Sequence, residues 1–313
     1  MVTHDGEFDL IRAMRERWGA LAASIGDDAA TLRVPRGEQM VISTDTALET
    51  VHFQRDWLSY REIAYRAVTG ALSDLAAMAA TPQGLLTALQ LPAEARTRLL
   101  DLADGIADAA RSANTVILGG NLSRGDVLGI TTTVVGSAFS PLSRAGARPG
   151  DLLYVTGALG GPAAALRALG AGAAPAASLR ERFARPVARL AQARWLAARG
   201  AIAAIDISDG LAGDSTHLAA ASGVVIEIQI ERVPVFDGAT VDDAIAGGEE
   251  YELLLVARTP LPEAEFAKQF SLSLTPIGRV TATTGREGNA EPVRFTRRGE
   301  RVAVPSGYDH FSR

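Results

Sequence analysis

The stretch that most constrains this chain is Ala204-Ile205-Asp206-Ile207-Ser208-Asp209-Gly210-Leu211. Side chains alternate across a strand, so Ile205 and Ile207 face one side while Asp206 and Ser208 face the other. Asp209-Gly210 then turns the chain into Leu211–Ala221, an Ala-rich run of helical character. A strand that ends in carboxylates and a hydroxyl at a helix mouth is suited to holding something charged. Taken alone, Asp209 reads better as a helix N-cap and Asp206 as a solvated strand end. Similar acidic strand ends elsewhere shift that balance.

Gln39–Thr44 reads as a strand running into Asp45, with Val41, Ser43 and Asp45 on one face. Before it come the Gly26-Asp27-Asp28-Ala29-Ala30 turn, a short strand at Thr31–Val34 and a hairpin connection at Pro35–Glu38. Glu62–Ala80 has a helical pattern that is apolar nearly all round and therefore buried. Asp74 is the only charged residue between Arg66 and Glu94. A carboxylate on such a helix must be paired, metal-bound or protonated. Thr115–Leu118 is a short strand that opens into Gly119-Gly120-Asn121, where paired glycines would let backbone amides approach a phosphate. Gly157–Pro162 leads into a helix from Ala163 whose first amides could receive an anion.

The remaining patterns are helices at Glu7–Trp18, Ala93–Ala113, Pro186–Arg199 and Ala264–Phe270. Strands are expected at Thr87–Leu91, Leu128–Ser137, Leu152–Thr156, Val224–Ile230, Leu253–Ala257 and Pro276–Val280. Ala171–Ala177 reads as an Ala/Gly loop. A Gly/Pro/Arg connector at Ser140–Gly150 divides the 313 residues into domains at 1–139 and 140–313.

The net charge of -5 offers no basic field for nucleic acid or anionic lipid. With no cysteine, thiolate metal sites and disulfides are excluded. No apolar run has the composition of a membrane span, and the acidic first residues lack the apolar core of a signal peptide, so a cytoplasmic protein is expected. Lys268 is the only lysine, and its surroundings resemble no phosphate-binding loop. Hard oxygen donors without His or Cys point to Mg²⁺, Ca²⁺ or Mn²⁺ rather than zinc. Two bare carboxylates about 4 Å apart repel by about 4 kcal/mol at an effective dielectric near 20, so several converge only around divalent cations. Acids, glycine loops and Arg144 together suggest metal-assisted phosphoryl transfer. A glycosidase is disfavoured, because aromatics make up only 5% of the chain.

The ordered set Gly6-Glu7-Phe8-Asp9, Gly26-Asp27-Asp28-Ala29-Ala30, Ser43-Thr44-Asp45, His52-Phe53, Leu72-Ser73-Asp74-Leu75 and Gly119-Gly120-Asn121 resembles thiamine-monophosphate kinases. So do Arg144-Ala145-Gly146, Asp206-Ile207-Ser208-Asp209-Gly210, Gly248-Glu249-Glu250-Tyr251-Glu252 and Tyr308-Asp309-His310-Phe311. That family belongs to the aminoimidazole-ribonucleotide-synthetase-like superfamily, and the likeness covers essentially the whole chain. It implies two α/β domains of the superfamily fold, with the N-terminal sheets of two subunits pairing into a homodimer. It also implies ATP-dependent phosphorylation of thiamine monophosphate, with no covalent nucleophile or general base. By resemblance, Asp28, Ser43, Thr44, Asp45, Asp74, Asn121, Asp206 and Asp209 would bind several Mg²⁺ ions. Gly120, Asn121, Arg144 and Ser208 would touch ATP, and His52, Glu249 and Tyr308 would hold the thiamine moiety. Asn121 departs from the Gly-Gly-Asp often found in the family, and removes a negative charge. Another ATP-dependent member of the superfamily, above all aminoimidazole ribonucleotide synthetase, and a catalytically inactive metal-binding homologue are the alternatives.

Overall fold

The computed structural model describes residues 7–23, 25–26, 28–283 and 291–308. The chain forms two compact units, Met1–Leu75 with Ala80–Ser140, and Ala76–Ala79 with Pro141–Arg313.

The first unit contains α1 (Glu7–Trp18), β1 (Gln39–Leu48), α2 (Tyr60–Ala77), β2 (Thr81–Leu91), α3 (Leu99–Ser112), β3 (Ile117–Arg124) and β4 (Gly129–Ala138). Its strands form a sheet in the order β1-β4-β2-β3, antiparallel except for the parallel β2–β3 pair. Val41, Leu85, Leu89 and Val134 point to the buried face, where Leu75 of α2 lies 3.1 Å from the position a Cβ on Gly136 would take. Met40, Ile42, Thr44 and Thr46 alternate onto the other, exposed face. On that face Thr44 and Thr46 meet Thr133 and Thr131, hydroxyl to hydroxyl, at 3.0 and 2.9 Å. Arg17 pairs with Asp104, and the Trp18 indole donates to Ala103 O, so α1 is tied to α3.

Three sequence expectations change here. No strand forms at Thr31–Val34; β1 instead continues to Leu48, because β4 offers it a ten-residue antiparallel partner. A strand needs a partner for its backbone donors and acceptors, and a short alternating run without one does not become a strand. β2 begins at Thr81 despite Pro82, which is accommodated where the register shifts between Pro82 and Gly84. The helix expected from Ala93 starts as a 3-10 turn at Ala95–Arg98 and becomes α-helical only at Leu99.

The second unit runs β5 (Leu152–Thr156), α4 (Gly161–Gly170), α5 (Ala177–Ala184), α6 (Leu190–Ala197), β6 (Ala201–Asp206), α7 (Leu211–Ser222) and β7 (Val225–Gln229). It continues with α8 (Val241–Ala246), β8 (Leu253–Ala257), α9 (Glu263–Phe270), β9 (Leu274–Thr281), β10 (Val293–Arg297) and β11 (Glu300–Val302). The sheet order is β11-β10-β7-β9-β5-β8-β6. Leu153, Val155, Ile205, Leu254, Val256, Ile226, Ile228 and Ile277 form its core with Leu211 and Leu218 of α7. β8 is buried at every position, as its unbroken Leu-Leu-Leu-Val-Ala run requires. Helices α5 and α8, and the strands β10 and β11, add to the sequence reading.

Candidate active site

Two groups of site residues take shape, one in each unit. In the first, Asp74 near the end of α2 accepts a hydrogen bond from Ser43 Oγ on β1. Asp45 follows two residues along the same side of β1 and is exposed. Asp28 is exposed as well. Thr44 lies between Ser43 and Asp45 but turns its hydroxyl to the opposite face of the sheet, toward Thr133. The register also separates Asn121 from the acids: Asp45, Thr132, Thr87 and Gly120 share one row, while Asn121 pairs with Ala88 on the exposed face.

Gly119, Gly120 and Asn121 lie within β3, not in a turn after it. A Cβ on Gly120 would run into Thr87 O of the neighbouring strand. The glycine is thus required by close strand approach, whatever its amide contacts. Gly120→Ala is expected to cost about 1–3 kcal/mol of stability with or without nucleotide. A urea melt checks this, and an unaltered midpoint without ATP would refute the packing role.

His52 is half-buried in the turn after β1. Its Nδ1 accepts the Leu48 N–H at 3.1 Å, so this ring nitrogen is committed to the turn, and its backbone N–H donates to Leu48 O at 2.9 Å. Arg144 is exposed, and its carbonyl accepts from Ser222 Oγ at 3.0 Å.

The second group is organised around the end of β6. Asp206 is 3% exposed, and Ser208 and Asp209 are half-buried. Gly210 adopts φ +106°, and a Cβ there would meet Ala246 O at 2.8 Å, which makes this turn a glycine position. Two distant segments hang from its carbonyls. Glu249 N–H donates to Ser208 O at 2.7 Å and Tyr308 N–H to Asp209 O at 2.8 Å. Asp206, Ser208, Asp209, Glu249 and Tyr308 are thereby brought together about one turn. Tyr308 is 53% exposed and Glu249 half-buried. Asp27 and the Asp309-His310-Phe311 tail, like Gly6, fall outside the described residues.

Sequence reasoning missed Asp214. Its Oδ2 accepts both Ser208 N–H and Asp209 N–H at 3.0 Å, moulding the acidic turn from the first turn of α7. An acid just inside a helix start was the available signal. Burial, and next the charges of Asp206 and Asp209, push its pKa up to about 8. Glu250 and Glu252 stand beside Glu249 in the same acidic run. Both are buried, at 0% and 1% exposed, and are structural. The Glu250 carboxyl group accepts the Gly160 N–H, so the amide at the start of α4 is already engaged within the protein.

The donor set fits a hard divalent cation. It consists of carboxylate and hydroxyl oxygens, and Asp206 and Asp209 stand close enough for their charges to act on Asp214. Among the described residues no three or more His, Cys, Asp or Glu side chains are grouped so as to hold a metal.

Residues 26–138 match the family described as AIR synthase related protein, N-terminal domain, and residues 148–289 match its C-terminal domain. The thiamine-monophosphate kinase of Salmonella typhimurium is 34% identical, covering 98% of each chain. The chain belongs to the thiamine-monophosphate kinase family. The crystal structure of thiamine-monophosphate kinase from Stenotrophomonas maltophilia K279a superposes with a TM-score of 0.81 at 32% identity, covering 95% of this chain and 98% of that one. A structure of AaThiL complexed with AMPPCP and TMP gives a TM-score of 0.76 at 30% identity, covering 98% and 97%. The mixed α/β fold with two domains of this superfamily is therefore that of thiamine-monophosphate kinases.

Proposed function

We propose that this protein transfers the γ-phosphoryl group of ATP to thiamine monophosphate, yielding thiamine diphosphate and ADP. The observation that carries this reading is the assembly of Asp206, Ser208, Asp209, Glu249 and Tyr308 about one turn, in a chain that matches a kinase of this family over 98% of both sequences. A phosphate oxygen of the acceptor attacks the γ-phosphorus while the bond to the ADP oxygen breaks. The acceptor's second pKa is about 6, so it arrives largely dianionic and needs no general base. Positioning and charge neutralisation supply the rate, without a covalent intermediate.

Asp28, Ser43, Thr44, Asp45, Asp74 and Asn121 in the first unit, and Asp206 and Asp209 in the second, are the residues proposed to hold Mg²⁺. Bound there, Mg²⁺ would neutralise phosphate charge. Thr44 contributes least, since its hydroxyl is engaged with Thr133. Gly120, Asn121, Arg144 and Ser208 are proposed to contact ATP. Glu249 offsets the thiazolium cation, Tyr308 stacks on a ring of thiamine, and His52 borders the same ligand.

Coupled ADP-release assays with thiamine monophosphate beside a panel of ribonucleotide substrates test the assignment. ADP release that requires thiamine monophosphate supports it; release only with a ribonucleotide, or none at all, refutes it. Asn121→Asp restores a carboxylate, and is expected to shift the Mg²⁺ dependence of activity to lower concentration. Identical Mg²⁺ titrations for the two proteins would remove Asn121 from the metal site.

The protein is proposed to be a cytoplasmic homodimer paired through the N-terminal sheet. Exposed Met40 and Ile42 on the face away from the helices support the pairing. No helix of the described residues is long and apolar enough to cross a membrane.

A further inference from the structure

Glu249 and Tyr251 both occupy left-handed backbone conformations, at φ 61° and 53°. Each costs about 1–2 kcal/mol for a residue with a Cβ, so the loop must be held from outside. The peptide joining Glu250 to Tyr251 is gripped at both ends. Its N–H donates to Ile207 O at 2.9 Å, and its carbonyl accepts from Arg182 Nη2 on α5 at 2.9 Å.

The same guanidinium nitrogen reaches Glu252 Oε1 at 2.7 Å and Glu250 Oε2 at 3.4 Å. Glu252 is held further by Arg189, just before α6, and by Thr156 Oγ1 at 2.6 Å, while Ile207 N–H donates to Glu252 O at 2.8 Å. The Arg182 side chain is only 10% exposed, and it ends on structural carboxylates and a carbonyl within this network.

We propose that Arg182 is a positioning residue for thiamine recognition, fixing the peptide between the two left-handed residues so that Glu249 is presented to the substrate. This rests on the assignment of Glu249 to the thiamine site. Loss of the guanidinium frees the 250–251 peptide plane, the backbone relaxes from its left-handed state, and the Glu249 carboxylate moves. Lysine is no substitute, because all three contacts are made from Nη2, one bond farther along the side chain than a lysine ammonium.

The test compares wild type, Arg182→Lys and Arg182→Gln by steady-state kinetics, thermal melting and amide hydrogen exchange without substrate. KM for thiamine monophosphate is expected to rise about tenfold or more, the scale of a misplaced binding group, while KM for ATP and kcat stay near wild type. Exchange of the Glu249 and Tyr251 amides is expected to accelerate ahead of the surrounding sheet. A lowered melting temperature with unchanged KM and unchanged local exchange overturns the proposal, as does failure of both variants to fold, which would make Arg182 a core residue only. If wild type does not phosphorylate thiamine monophosphate, the functional reading fails separately, and hydrogen exchange still decides whether Arg182 fixes the loop.

Discussion

Asp206→Asn is expected to slow phosphoryl transfer to thiamine monophosphate by about a hundred- to a thousandfold at saturating Mg²⁺ and ATP, the scale on which one preorganised electrostatic group acts. The side chain is nearly isosteric, so β6 and the hydrogen bonds of the following turn persist. What changes is charge. Asp206 and Asp209 both act on the buried Asp214, and such crowding disfavours the folded protein when no cation is present. The variant should therefore melt no lower than wild type in metal-free buffer while losing most of its activity, the trade-off expected where a site holds like charges together. Stopped-time ADP assays and a paired thermal melt measure both. A variant with near-wild-type kcat would remove Asp206 from the reaction, and one that melts much lower would make it a structural carboxylate.

The second large effect is on folding. Glu252→Ala leaves Arg182 and Arg189 facing each other in a nearly dry site, and is expected to cost about 3–5 kcal/mol, as when one partner of a buried ion pair is removed. Equilibrium urea unfolding reads this, and a loss under about 1 kcal/mol would show that the arginines find water or other partners. Acid titration of stability adds a sign. Burial works against the Glu252 carboxylate, but Arg189 and Arg182, with the hydrogen bonds of Arg189 and Thr156, outweigh it and hold its pKa below the ordinary value. Its contribution is complete above the unfolded value of about 4.3 and disappears as pH falls through the lower folded value. Glu250 runs the opposite way, because burial pushes its pKa up to about 8 against the pull of Arg182 and Gly160. Between about pH 4.3 and 8 the folded protein then binds more protons at Glu250 than the unfolded chain does, and stability declines as pH rises. Glu250→Gln should flatten that decline, and Glu252→Gln the acid-side loss. Parallel curves for wild type and both variants would contradict these assignments.

Local pattern was enough wherever an element's periodicity and its ends agreed. Glu7–Trp18 and Leu253–Ala257 are the spans expected, one from its apolar stripe and the other from an unbroken apolar run. The turn after β6 was legible because an alternating strand, an Asp-Gly pair and a helical run stand in sequence. What failed was anything decided by a partner strand. Thr31–Val34 lacks one, while Gly120 is a glycine because Thr87 O passes beside it, a fact held by residues over thirty positions away. The acids of Glu249-Glu250-Tyr251-Glu252 could not be sorted by spacing either. Their roles follow from two left-handed residues and from Arg182 and Arg189, which look like any other arginine in a chain that uses arginine for nearly all of its positive charge.

Glu249 and Tyr308 are attached to the acidic turn through their main-chain amides. With the thiamine-binding roles proposed for Glu249 and Tyr308, redesigning the enzyme for a different phosphorylated acceptor need not disturb the phosphate chemistry. The two side chains can be exchanged for groups that fit another ring or another charge, while the carbonyls at Ser208 and Asp209 keep their replacements in register. The backbone serves as a fixed socket, and selectivity becomes an interchangeable fitting.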